Sequence, residues 1–190
     1  FERVLPREAG RAAAVEMIAT FHGLAGVAAA DEAALLRAGL DRDGVAELLR
    51  IRAMALAMAR AQACDRPVLS SWTALTAYLR AALAHAPRKQ FRTLYLDKRN
   101  ILMREECRGA GTVDHAPAYP REIVRRALEL SASAMILVHN HPSGDPTPSR
   151  ADIDMTRRIV DAAKVFDIQV HDHVIVGREG TNSFRALGLM

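Results

Sequence analysis

Residues 134–152, AMILVHNHPSGDPTPSRAD, leave the chain little conformational choice. The apolar run AMILVHN (134–140) is too short and too continuous for an amphipathic helix, and it reads as a buried strand. Pro142, Pro146 and Pro148, with Gly144 among them, then force the chain into a stiff loop, because proline fixes its own φ and has no amide to donate. From Ser149 onward the S-x-x-D spacing of Ser149 and Asp152 is that of a capping box, and RADIDMTRRIVDAAKVF (150–166) has the period of an amphipathic helix. Strand, stiff loop and helix therefore follow one another within a short span.

Side chains alternate faces on a strand, so His139 and His141 project to one side and Asn140 to the other. Two imidazoles placed this way can share one ion; ordinary histidines at a strand end are the competing reading. An aspartate in the first turn of the following helix can face back toward the strand end. Two imidazoles, one carboxylate and an open fourth position are the pattern of a catalytic zinc site rather than a closed structural one.

The rest of the chain sets the context. Residues 9–63 are rich in alanine and leucine with arginines at helical spacing, and breaks at FHGLAGVAAADE (21–32) and AGLDRDG (38–44) divide them into short helices. CDRPVLSS (64–71) reads as a linker, with Ser70 or Ser71 capping a helix through WTALTAYLRAALAHA (72–86) that stops at Pro87. From Pro87 the period changes. FRTLYLD (91–97) and ILMREEC (101–107) read as strands joined tightly at KRN, PREIVRRALELSA (120–132) as a helix with proline in its first turn, and DIQVHDHVIVG (167–177) as a last strand. The expected organisation is a helical domain over 1–63, a linker and helix over 64–87, and an α/β domain with a central mixed sheet over 88–190.

Among the 190 residues, half are apolar, enough for a sizeable core. A net charge of +4 permits an acidic partner without requiring one. The two cysteines, Cys64 and Cys107, lack the spacing of a thiolate cluster or a disulfide scaffold. The absence of a membrane-length apolar run or a signal-like start leads to the expectation of a cytoplasmic protein.

The pattern H-x-H, seven residues, S, two residues, D resembles the JAMM signature of JAB/MPN-domain metalloproteases, and HNHPSGDPTPSRAD is similar to the RadC family in particular. The similarity extends to YPREIVRRALELSASAMILVHNHPSG (119–144) and VHDHVIVG (170–177), and so covers 88–190. It implies a JAB-type α/β fold and zinc held by His139, His141 and Asp152, with Ser149 hydrogen-bonding near the reacting oxygen. It also implies hydrolysis of peptide or isopeptide bonds, in which a glutamate accepts a proton from the zinc-bound water. In the family pattern that glutamate stands two residues before the phenylalanine of the first strand; here the place reads Lys89-Gln90-Phe91. Lysine cannot serve as the base. Glu105, Glu106 and Glu122 are conceivable substitutes, although each reads more simply as a solvated or helix-end charge.

The helical N-terminal part is similar, with lower specificity, to the helix-hairpin-helix-like region of RadC proteins, which carry a DNA-repair name. Such hairpins use G-x-G to bring backbone amides to a phosphate, whereas this chain has Gly39-Leu40-Asp41. A carboxylate there opposes phosphate, so direct DNA binding is weakly supported, and Arg50, Arg52 and Arg60 read as solvated charge as readily as a basic surface. His171 and His173 share a strand face, as groups orienting a ligand or as structural histidines. His115 reads as a loop residue and Cys107 as a buried strand residue. Two functions from different classes follow: a zinc-dependent amide hydrolase weakened by Lys89, or a non-catalytic metal-bearing binding module associated with DNA repair or mobile elements.

Overall fold

The computed structural model describes residues 7–64, 67–110 and 118–190, so His115 lies outside the described residues. The chain divides into two compact units, 1–58 and 59–190. The boundary falls inside a helix, between Met58 and Ala59, and residues 59–87 belong with the second unit. Among the described residues no helix is long and apolar enough to cross a membrane.

The first unit contains α1 (Arg7–Thr20), α2 (Leu24–Ala29), α3 (Glu32–Arg37) and the first part of α4 (Arg42–Cys64). Met17, Val27, Leu35, Leu40 and Val45 form its core. Its turns follow from capping chemistry. Asp31 caps α3 by accepting from Ala34 N at 2.7 Å, and Asp41 accepts from Gly44 N at 2.7 Å at the start of α4. Gly39, at φ 92°, ends α3: Leu40 N donates to Leu35 O and Gly39 N to Leu36 O, a Schellman motif. Gly39-Leu40-Asp41 is thus a helix stop followed at once by a helix start.

The second unit is the mixed α/β fold that the change of period predicts. A short 3₁₀ turn (Val68–Ser71) runs directly into α5 (Trp72–Leu83). Neither serine caps α5 as expected: Ser71 Oγ donates to Ala63 O at 2.9 Å and Ser70 Oγ to Pro67 O at 2.7 Å. The 3₁₀ turn continues into the helix and leaves no abrupt entry for a side chain to cap. Then come β1 (Gln90–Leu96), β2 (Leu102–Ala110), α6 (Pro120–Glu129), β3 (Ala134–Asn140), α7 (Arg150–Lys164), β4 (Gln169–Val176) and the three-residue β5 (Thr181–Ser183), too short to announce itself in sequence. The sheet order is β2-β1-β3-β4-β5, with β3 and β4 parallel and the other pairs antiparallel.

β3 is buried at every position. Met135 and Leu137 pack with Phe91, Tyr95, Ile123 and Ile159 in the core that contains residues of α6 and α7. α7 buries Asp152, Thr156, Ile159 and Ala163, a single helical stripe. Two polar residues therefore head an otherwise apolar stripe, and both face the sheet. Cys107, expected to be buried, is exposed, because among the described residues β2 is an edge strand paired only with β1.

Candidate metal centre

Three side chains, from β3, the residue just after it and α7, meet at the C-terminal end of β3. His139 Nε2 lies 3.0 Å from His141 Nε2 and 3.2 Å from Asp152 Oδ1, and His141 Nε2 lies 3.3 Å from Asp152 Oδ2. The alternation of β3 supplies the first two; the inward stripe of α7 supplies the third. His139 and Asp152 are buried, and His141 is partly exposed.

The loop between β3 and α7 holds its shape through its own bonds and through the β4–β5 hairpin. Asp145 Oδ1 accepts from Thr147 N and Thr147 Oγ1, at 2.8 and 2.7 Å. Asn182 Nδ2 donates to Pro146 O, and Arg178 donates to the carbonyls of Pro142 and Ser143. Gly177 is required at this contact, because a Cβ there would lie 2.0 Å from Gly144 O.

The protonation of the two rings follows from their outer partners. His141 Nδ1 lies 2.9 Å from Asp145 O, a carbonyl that can only accept, so Nδ1 carries a hydrogen, and Nε2 is a lone pair whenever the ring is neutral. His139 is set by a longer chain. Thr156 Oγ1 donates its single hydrogen to Asp152 O at 2.6 Å, so its contact with His173 Nδ1, also 2.6 Å, needs the hydrogen on His173. His173 Nε2 is then an acceptor, and His139 Nδ1, 2.8 Å away, must donate to it. Burial pushes His139 down to about 4, only partly offset by Asp152, and burial likewise pushes His173 well below the ordinary range. Both are neutral at physiological pH. His139 therefore also presents a bare Nε2 lone pair to the site.

The Ser149 amide and hydroxyl both donate to Asp152 Oδ2, which favours the ionised carboxylate. With His141 in its neutral form, two ring lone pairs and the carboxylate converge on one point and offer a cation three donor atoms. The donors of a tetrahedral ion with bonds of about 2.0–2.1 Å lie roughly 3.3 Å apart, close to the 3.0–3.3 Å separations here. The residues fit a zinc-like ion.

Ser149 is at this site, in a capping role. Its Oγ accepts from Asp152 N at 3.2 Å and donates to Asp152 Oδ2 at 2.6 Å, while Ser149 N donates to the same oxygen at 3.0 Å, completing the expected capping box. Lys89 is also here: its Nζ lies 3.1 Å from Asp152 Oδ1. The register explains why. Phe91 pairs with His139 across antiparallel strands, so residue 89, on the same face, comes opposite residue 141.

The three glutamates considered as substitutes are engaged elsewhere. Glu105 binds Arg92 at 2.8 Å and Tyr78 at 2.7 Å, Glu106 accepts from Arg126 at 2.7 Å, and Glu122 pairs with Arg121 and Arg125. Arg50 pairs with Glu47, Arg52 donates to Ala29 O, and Arg60 pairs with Glu105. Of the second histidine pair, His173 reaches the site, while His171 bonds Asn100 Oδ1 at 2.6 Å.

Sequence reasoning missed two contributors. Thr156 was legible only as one polar position on the buried stripe of α7. Asn140 points away from the ligand face, as strand alternation requires, and there it fastens the entry to β1: its Oδ1 accepts from Gln90 N at 2.8 Å, and its Nδ2 donates to Arg88 O at 3.1 Å and to Ala86 O at 3.3 Å.

Residues 69–189 match the family described as RadC-like JAB domain. The chain is also similar to a UPF0758 protein of Rhodobacter capsulatus, 49% identical over 189 residues, which covers 99% of this chain and 88% of that protein.

Proposed function

Because the chain belongs to the RadC-like JAB domain family, we propose that His139, His141 and Asp152 hold a zinc ion on a peptide- or isopeptide-hydrolase scaffold whose hydrolytic power is weak or absent in this chain. The observation that carries this reading is the place of Lys89, against Asp152 and beside the two imidazoles. Zinc bound there would supply a polarised water and a polarised substrate carbonyl. The chain's own residues have to do the rest. Ser149, once its hydrogen turns from Asp152 Oδ2, is placed to donate to a developing oxyanion. A proton acceptor is also needed, and a positioned one contributes roughly 10²–10⁴-fold. A lysine ammonium has three donors and no acceptor.

Lys89→Glu replaces that ammonium with a carboxylate at the same point. The expected outcome is a gain in cleavage of peptide or isopeptide substrates in the presence of zinc, with the metal ligands unchanged. Efficient cleavage by the parent chain, with no change in Lys89→Glu, would mean that another residue is the base. The Lys89–Asp152 ion pair equally favours the second reading, a metal-bearing binding module without catalysis, and absence of cleavage in both proteins would select it. Strong contact with duplex DNA is no part of either reading, since Gly39 and Asp41 already serve as helix stop and helix cap.

A further inference from the structure

Position 89 carries the opposite charge to the family glutamate, and that charge is tied to a metal ligand. The Lys89 side chain is 18% exposed and Asp152 9%. Its backbone is fixed on both sides by the Asn140 amide, through Arg88 O at 3.1 Å and Gln90 N at 2.8 Å. The ammonium is thus delivered from a clamped point rather than from a loose surface tether.

The two oxygens of Asp152 are in different situations. Oδ2 accepts both the amide and the hydroxyl of Ser149. Oδ1 has Lys89 Nζ at 3.1 Å and the His139 Nε2 lone pair at 3.2 Å. Oδ1 is therefore the oxygen most available to an ion held by His139, and it is the one that the ammonium holds. A divalent ion bonded to it at about 2.0–2.2 Å would come within roughly 5 Å of Nζ, at a depth where water screens like charges poorly.

Resting on the metal-site reading above, we propose that Lys89 is a resident counter-cation of Asp152 that competes with the metal for Oδ1. The chain then has two forms. In one, Lys89 neutralises the carboxylate and no ion is bound; in the other, a divalent ion occupies the His139–His141–Asp152 site and the flexible lysine stem has turned its ammonium toward solvent. Metal occupancy in this chain is consequently exchangeable and set by the free zinc concentration.

The test is a competition titration of the full chain with Zn²⁺ against a chromophoric chelator, for the parent, Lys89→Met, Lys89→Gln and the double variant His139→Ala/His141→Ala. Thermal melts of each protein in excess chelator accompany it and establish that the variants fold. The expected result is zinc binding at least ten-fold tighter in Lys89→Met and Lys89→Gln than in the parent. Without metal, both variants should melt below the parent, because Asp152 has lost its counter-charge. Equal or weaker zinc binding in both lysine variants, with binding still abolished in the double histidine variant, would overturn the competition while leaving the metal site standing. If no protein of the set binds zinc, the metal-site reading fails and the proposal falls with it.

Discussion

Two tetrapeptides of this chain, Val138-His139-Asn140-His141 and Val170-His171-Asp172-His173, differ by a single residue and lie on adjacent parallel strands, yet they do different work. In β3 the pair ends the strand, and the proline loop lets both rings face one point. In β4 the pair lies within the strand, where the β3–β4 register shifts between Met135 and Ile136, opposite Val170 and Asp172. That irregularity falls at His171 and separates the two rings: His171 binds Asn100, and His173 lies beneath His139. The intervening residue differs accordingly. Asn140 clamps the chain on either side of Lys89, whereas Asp172 accepts from His173 N and Arg185 N and from the Ser183 hydroxyl, closing the β4–β5 corner. What an H-x-H does is set by where the strand ends and by what covers its face.

The sharpest way to break this comparison is to delete the rings of each pair. His139→Ala/His141→Ala should lose stoichiometric zinc altogether, whereas His171→Ala should retain it and lose only about 1 kcal/mol of stability, the usual worth of one hydrogen bond. Metal analysis after dialysis, with denaturant unfolding, reads both. Equal zinc in the double variant and the parent would remove the distinction between the tetrapeptides.

A somewhat smaller effect is expected beneath the site. His173→Ala removes a buried ring that stacks on Phe184 at 4.7 Å and holds the His139 tautomer. It should cost about 2–4 kcal/mol, from the cavity and the orphaned polar groups, and weaken zinc roughly 10–100-fold. Thr156→Val should weaken zinc in the same direction and Thr156→Ser should restore it. Long-range proton–nitrogen NMR of the His139 ring distinguishes positioning from general damage, since only loss of the relay shifts the hydrogen away from Nδ1.

The pH dependence is smaller again. His139 has its folded pKa lowered to about 4, so between that value and the unfolded one, about 6.5, the unfolded chain binds more protons. The contribution from this ring is therefore full above pH 6.5 and is lost as pH falls toward 4. For metal-free protein, unfolding at pH 5.0 should be easier than at pH 7.5 by roughly 2 kcal/mol from His139 alone. Asp152 acts in the same direction at lower pH: its lowered folded pKa contributes stability above the unfolded value, about 3.9, and that stability is lost as pH falls below it. A flat profile between pH 7.5 and 5.0 would contradict the buried, neutral state of His139.

Much of this was legible in the sequence because local chemistry dictates it. The short apolar run, the three prolines and the S-x-x-D box fixed strand, loop and helix over 134–152, and strand alternation together with the capping position brought His139, His141 and Asp152 toward one point. The relay through His173 and Thr156 was not legible. It depends on the parallel β3–β4 register and on the rotation of α7 about its axis, and neither is encoded in any one segment. Asn140 was hidden for a similar reason, since its partners Ala86, Arg88 and Gln90 are some fifty residues away in sequence. Ser71 failed as a cap because a 3₁₀ turn precedes α5, and β5 is too short to show a period.

The central claim is that His139 and His141 both present Nε2, with Asp152, to one ion. A crystal of the full chain equilibrated with zinc, with anomalous data collected at the zinc edge, tests it most directly. The account predicts one peak per chain at about 2.0–2.2 Å from both Nε2 atoms and one Asp152 oxygen, with the Lys89 ammonium turned away from Oδ1. No peak at this point, or an ion bound through Nδ1 of either ring, would contradict it.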